Sequence, residues 1–159
     1  MPGRENAQGR EHAIGHPAVT DSQTGLANRL HFELVYSYIF AAGNRGVTFT
    51  VMLISLGEGV GEPELRTSGE KIERTTRDSD LVAHLGGGRY VVLLLGTNLQ
   101  GARVAADRVE VTLGDGGDGA VCIGLAAYSP EMRESSELLE AADKALLTAE
   151  AAGGGIEFG

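Results

Sequence analysis

The sequence predicts an α/β domain: a mixed central sheet of about five strands covered by helices. Two observations carry this. Stretches with apolar residues at helical spacing alternate with short runs rich in β-branched residues. Between two of those runs lie Gly86, Gly87 and Gly88, which read as a tight hairpin and bring antiparallel pairing into the sheet. The chain has 159 residues, 42% hydrophobic and 22% charged, enough for one domain with a real core.

Residues 1 to about 18 are polar, contain Pro2 and Pro17 and show no period, so a mobile tail is expected ahead of a domain spanning 19–159. His12 and His16 have the i, i+4 spacing of a metal pair, but no further ligand accompanies them. From Ala27 to Ala42, Leu30, Leu34, Tyr38 and Ala41 recur at helical spacing; Thr24 or Asn28 can cap the start, and Gly43 ends the run. Val47 to Leu56 is apolar and β-branched, as a buried strand requires. Gly57 to Gly61 is a turn. Pro63 suits the first turn of a helix reaching about Thr76, with Leu65, Gly69, Ile72 and Thr76 on one face.

Leu81 to Leu85 and Tyr90 to Leu95 are the hairpin strands. Leu99 to Leu113 is a helix with Ala102, Ala105, Ala106 and Val109 inward. Asp115 to Gly119 reads as a flexible loop. Ala120 to Tyr128 is a strand, Ser135 to Ala152 a helix and Ile156 to Phe158 a last short strand. Ser135 or Ser136 with Glu140 gives a loose capping pattern.

Charge excludes several functions. The net charge is −9, and the pI is about 4.8. Such a field repels phosphate backbones, so no nucleic-acid partner is expected. No apolar run approaches the roughly 20 residues of a membrane span, so no membrane partner is expected either. The first residues lack the apolar core of a signal peptide, which makes the cytoplasm the expected compartment. A single cysteine, Cys122, leaves no disulfide framework; on an inner strand it reads as a small buried hydrophobe. Glu131, Glu134, Glu137 and Glu140 read as a solvated face, and His31 as a helix-surface residue.

Four segments, in order, resemble one family. Asp21-Ser22-Gln23-Thr24-Gly25-Leu26-Ala27-Asn28-Arg29 is similar to a DxLTGLxNR opening, with Gln23 for its leucine. Arg77-Asp78-Ser79-Asp80 followed by Gly86-Gly87-Gly88-Arg89-Tyr90 resembles an RxxD segment and its GGDEF hairpin. Ile123-Gly124-Leu125-Ala126 resembles an SIGvA strand. Leu138 to Gly153 resembles an LLxxADxALYxAKxxG helix. Together they resemble the GGDEF domains of diguanylate cyclases over about residues 20–158, which implies the palm-like fold of nucleotidyl cyclases.

The resemblance implies an activity that the residues argue against. The family joins two GTP molecules into cyclic di-GMP with two magnesium ions, which prefer carboxylate oxygens. Ser55 and Gly57 stand at the DxD of its first strand, and Gly88 and Arg89 at both acidic positions of its hairpin. A hydroxyl does not replace a carboxylate, and Arg89 puts a fixed positive charge where a cation should sit. The guanine-recognising loop is reduced to Glu58-Gly59-Val60-Gly61-Glu62; Glu62 falls near its aspartate, and the asparagine partner has no counterpart. No catalysis, no metal and no cofactor are expected.

The inhibitory-site motif is kept. In the family, RxxD binds the product. Arginine can meet phosphate oxygens or the O6/N7 edge of guanine, and a carboxylate can accept from guanine N1–H and N2–H₂. Arg108, within Ala106-Asp107-Arg108-Val109, stands at the arginine of an AERI-like pattern. His84 replaces an arginine common two residues before the hairpin glycines, which would lower affinity. The expected ligand is therefore cyclic di-GMP, held by Arg77, Asp80 and Arg108. Output would pass through a signalling-protein partner or a homodimer. The alternative is a nucleotide-independent interaction module.

Overall fold

A computed structural model describes residues 18–114 and 120–159. The stretch read as a tail, with His12 and His16, lies outside the described residues apart from Ala18, as does the Asp115 to Gly119 loop. Nine elements follow in order: α1 (Arg29–Gly43), β1 (Phe49–Ser55), α2 (Glu62–Thr75), β2 (Leu81–Gly86), β3 (Arg89–Leu95), α3 (Leu99–Gly114), β4 (Cys122–Ala127), α4 (Ser135–Ala151) and β5 (Gly155–Phe158).

The sheet runs β2-β3-β1-β4-β5. β1 pairs antiparallel with β3 and β4, β2 antiparallel with β3, and β4 parallel with β5. The predicted mixed five-stranded sheet is what the chain builds. β1 sits in the middle and is buried on both faces, which explains its continuous apolar run. Met52 and Ile54 join Leu65 and Ile72 of α2 and Ala102, Ala106 and Val109 of α3 on one face. Val51 and Leu53 join Phe32 and Tyr36 of α1 and Leu138, Ala142 and Leu146 of α4 on the other.

Close approach explains one motif glycine. A Cβ on Gly124 would lie 2.6 Å from the Ala142 carbonyl oxygen and closer still to the Leu146 nitrogen, so glycine lets α4 rest directly on β4.

Two expectations change. Leu30, Leu34 and Tyr38 of α1 point outward, 48%, 61% and 75% exposed. The core takes the opposite face, where Phe32 stacks on Tyr36 with centroids 5.4 Å apart and the Tyr36 hydroxyl donates to the Ser135 carbonyl. α1 is apolar on two sides, and aromatic area decides which side is buried. At the start of α4 the N-cap is Glu134, not a serine. The Glu137 carboxylate accepts from the backbone N–H groups of Arg133 and Glu134, both at 2.8 Å. Two of the four glutamates read as a solvated face therefore organise a helix end.

Candidate functional site

Two corners of the sheet hold the residues singled out from the sequence. The first is the turn from α2 into β2. Asp80 begins this corner: its carboxylate is almost wholly buried and accepts the backbone N–H of Arg77 at 3.0 Å and of Leu95 at 3.3 Å. The Arg77 guanidinium folds back on the same carboxylate, Nε to Oδ2 at 3.4 Å and Nη2 to Oδ1 at 3.2 Å. Nη2 also faces the Leu95 carbonyl at 2.6 Å and Thr97 Oγ1 at 2.7 Å. Arg77, Asp80 and Arg108 line one open groove of about 640 Å³ between this turn, the β3–α3 connection and α3. That lies within the usual 300–1,000 Å³ range of ligand clefts. The groove thus brings together the three residues singled out from sequence. Leu95 and Thr97, which hold Arg77, carried no signal in the sequence, because their role depends on where β3 ends beside the turn.

The second corner is the β2–β3 hairpin. Gly86 and Gly87 adopt positive φ values of 107° and 51°, as the tight turn demands. Gly88 is crowded: the Leu56 N–H donates to its carbonyl at 2.8 Å, and a Cβ would stand 2.5 Å from the Gly57 carbonyl oxygen. The short connection after β1 is folded against the hairpin. Ser55, the last residue of β1, sits between Arg89 of β3 and Cys122 of β4, buried, its Oγ accepting the Gly57 N–H at 3.2 Å. Arg89 reaches Glu150 at 3.3 Å and Asp143 at 3.6 Å, both on α4. Glu150 falls at the lysine of the LLxxADxALYxAKxxG pattern, while Arg89 falls at an acidic hairpin position. The two signs are exchanged together, a signal available in the sequence and overlooked there.

His84 does not face the groove. It is buried, with Nδ1 3.0 Å from Asp21 Oδ2 and Nε2 2.7 Å from the Gly87 carbonyl. Asp21 also accepts from the Thr24 N–H and hydroxyl, both at 2.8 Å. The opening DxLTGLxNR-like segment is thereby tied to the hairpin, and Arg29 adds a bond to the Leu85 carbonyl at 3.3 Å. The expected effect of His84 on ligand affinity has no contact behind it.

Burial, then Glu150, raises the Cys122 thiol, which leaves it un-ionised and inert at neutral pH. Burial raises the Tyr90 phenol, helped by Asp21 and Glu64; its hydroxyl donates to the Leu65 carbonyl at 2.6 Å. Among the described residues, no three His, Cys, Asp or Glu side chains are grouped to hold a metal ion. None of the described helices is long and apolar enough to cross a membrane.

Comparison with known proteins agrees with this frame. The chain is 28% identical over 157 residues to the probable diguanylate cyclase DgcC of Escherichia coli K12, a match covering 84% of this chain and 41% of that protein. This chain therefore spans less than half of that curated relative. It superposes on the GGDEF domain of TpbB from Pseudomonas aeruginosa with a TM-score of 0.71 at 29% identity, covering 87% of this chain and 93% of that one. The GGDEF domain of DgcB from Caulobacter crescentus, solved with c-di-GMP, gives a TM-score of 0.80 at 19% identity over 90% of this chain and 96% of that one. The sequence pattern described as "Diguanylate cyclase, GGDEF domain" matches residues 18–155, and the chain belongs to that family.

Proposed function

We propose that this GGDEF domain is a catalytically inactive receptor for cyclic di-GMP, which it binds through Arg77, Asp80 and Arg108. The signal then passes to a protein partner or to a second copy of the chain. One observation carries the reading: the three inhibitory-site residues converge on one open groove, while the hairpin where catalysis would occur holds no carboxylate of its own. A ring carrying two negative charges suits a groove edged by two arginines. The complex of the DgcB GGDEF domain with c-di-GMP supports the ligand class.

Inactivity rests on the hairpin. Two-metal phosphoryl transfer needs carboxylates at the end of β1 and in the turn. Ser55 and Gly88 offer none, and Arg89 brings a guanidinium paired with Asp143 and Glu150. The connection packed on Gly88 also occupies the space beside the turn.

Calorimetric titration of cyclic di-GMP, with Arg77→Ala as control, tests the receptor half. The expected result is micromolar or tighter binding that the substitution abolishes. Incubation with GTP and magnesium or manganese tests the other half; any linear or cyclic dinucleotide product would contradict it.

A second reading is favoured by α1. Its outward stripe of Leu30, Leu34 and Tyr38 suits a nucleotide-independent interaction module. A flat titration together with a stable complex lost in Leu34→Glu would favour that reading over the first.

A further inference from the structure

We infer that His84 carries a proton on both ring nitrogens and, as an imidazolium, forms a proton-dependent clasp between the opening segment and the β2–β3 hairpin. The argument is a count of donors and acceptors around a side chain with no exposed surface. Nε2 lies 2.7 Å from the Gly87 carbonyl oxygen, which can only accept. That nitrogen is therefore a donor. Nδ1 lies 3.0 Å from Asp21 Oδ2.

Thr24 fixes the role of that oxygen. Its Oγ1 accepts the Leu26 N–H at 3.2 Å, so its own hydroxyl proton goes to Asp21 Oδ2 at 2.8 Å, beside the Thr24 N–H at 2.8 Å. Oδ2 thus accepts twice from Thr24 and presents a lone pair to His84, which makes Nδ1 a donor as well. A neutral imidazole has one donor and one acceptor, and would leave two lone pairs facing each other at a ring closed to water. Only the cation satisfies both partners.

Burial disfavours an unpaired cation, but here a carboxylate stands at hydrogen-bond distance. Tyr90 of β3 sets its ring 5.1 Å from the imidazole, its phenol held un-ionised by burial. Arg66 of α2 meets the Ser22 carbonyl and Arg29 of α1 the Leu85 carbonyl, both at 3.3 Å. Glu64 of α2 acts with Asp21 on Tyr90. Among the described residues none of these four hydrogen-bonds His84, so Asp21 is the anion it meets.

The clasp lies on the outer strand of the sheet. There the His84 N–H donates to the Ala27 carbonyl at 3.0 Å, and Ala27 bridges Ala83. The side chain adds the bonds to Asp21 and Gly87. Loss of one ring proton removes one of those two bonds. The proton belongs to the closed form, so the clasp is complete at lower pH and loosens as pH rises.

The test is nitrogen NMR of the intact protein, with His31 of α1 as reference. Both ring nitrogens of His84 should carry a bonded proton at about pH 7. The pH is then raised from about 6 to about 9. Loss of one ring proton should coincide with a roughly tenfold or greater loss of amide protection at Asp21 and Gly25, beyond the intrinsic rise in exchange. In His84→Arg, whose charge persists throughout, protection should not follow pH. A single ring proton at about pH 7, or a ring that keeps both protons to about pH 9, would overturn the inference. Protection that is unchanged when the second proton leaves would overturn it too. These readings come from the wild-type chain and stand even if His84→Arg does not fold.

Discussion

Arg77 and Arg89 differ less in exposure than in their partners. Both guanidinium groups are about half-exposed, and both meet carboxylates within 3.6 Å. The partner of Arg77 is buried, fixed by two backbone N–H groups and unable to follow the arginine outward. Such a carboxylate orients the cation. Asp143 and Glu150, the partners of Arg89, lie on the rim of α4 at 54% and 30% exposure. They surround the cation and outnumber it. Arg77 is paired one to one with a carboxylate that the backbone fixes, whereas Arg89 is shared between two carboxylates of one helix. The same residue type thus meets one buried carboxylate at one corner of the sheet and two rim carboxylates at the other.

The largest effect that would break this contrast comes from placing an acid in the hairpin. Gly88→Asp introduces a Cβ 2.5 Å from the Gly57 carbonyl oxygen, and that contact is backbone, which yields poorly. We expect a loss of about 2–3 kcal/mol, or roughly 5–10 °C in Tm for a domain of this size. Thermal unfolding with an unchanged midpoint would mean that the connection after β1 does not press on the hairpin.

Next comes removal of the oriented cation. Arg77→Ala should weaken cyclic di-GMP binding by at least about tenfold, since hydrogen bonds to charged groups contribute roughly 1.5–3 kcal/mol. The variant leaves Asp80 with two backbone donors, so the fold should hold; circular dichroism and a melting curve check that. Arg89→Ala is the matched control. Its ion pairs are on the surface, and a change within ~1 kcal/mol of stability is expected, with binding unaltered. Arg89→Ala that weakens binding as much as Arg77→Ala would erase the distinction between the corners.

The sequence made parts of this legible and hid others for physical reasons. Element order, the hairpin and the central buried strand follow from periodicity and glycine placement, which are local. RxxD and Arg108 follow from a pattern, and they do meet at one groove. Burial direction on α1 was not legible, because Leu30, Leu34 and Tyr38 repeat at the same spacing as Phe32 and Tyr36; only the sheet beneath decides between them. The anchoring of Arg77 by Leu95 and Thr97 is a contact across 18 and 20 residues that no window reveals. His84 misled for the opposite reason: its place in the pattern suggested a ligand contact, while its neighbours make it a buried link to Asp21.

The smallest effect concerns a third way of holding a carboxylate, at the start of the helix that carries Asp143 and Glu150. Glu137 is fully exposed, yet the N–H groups of Glu134 and Arg133 hold its carboxyl below the usual carboxylate range, with the charge of Arg133 adding to them. Like Asp80, it faces backbone donors; unlike Asp80, it has water on its other side. A lowered folded pKa means that the unfolded chain takes up the proton first as pH falls. The stabilisation of α4 is therefore complete above the ordinary glutamate value of about 4.3 and is lost as pH drops through the lower, folded value. Hydrogen exchange in the first turn of α4 should lose protection across that window in the wild type. Glu137→Gln, whose amide oxygen still accepts but does not titrate there, should flatten the dependence at this site. If wild type and Glu137→Gln lose protection in parallel, the cap is not what acid removes from α4, and Arg89 with its two carboxylates becomes the group to titrate next.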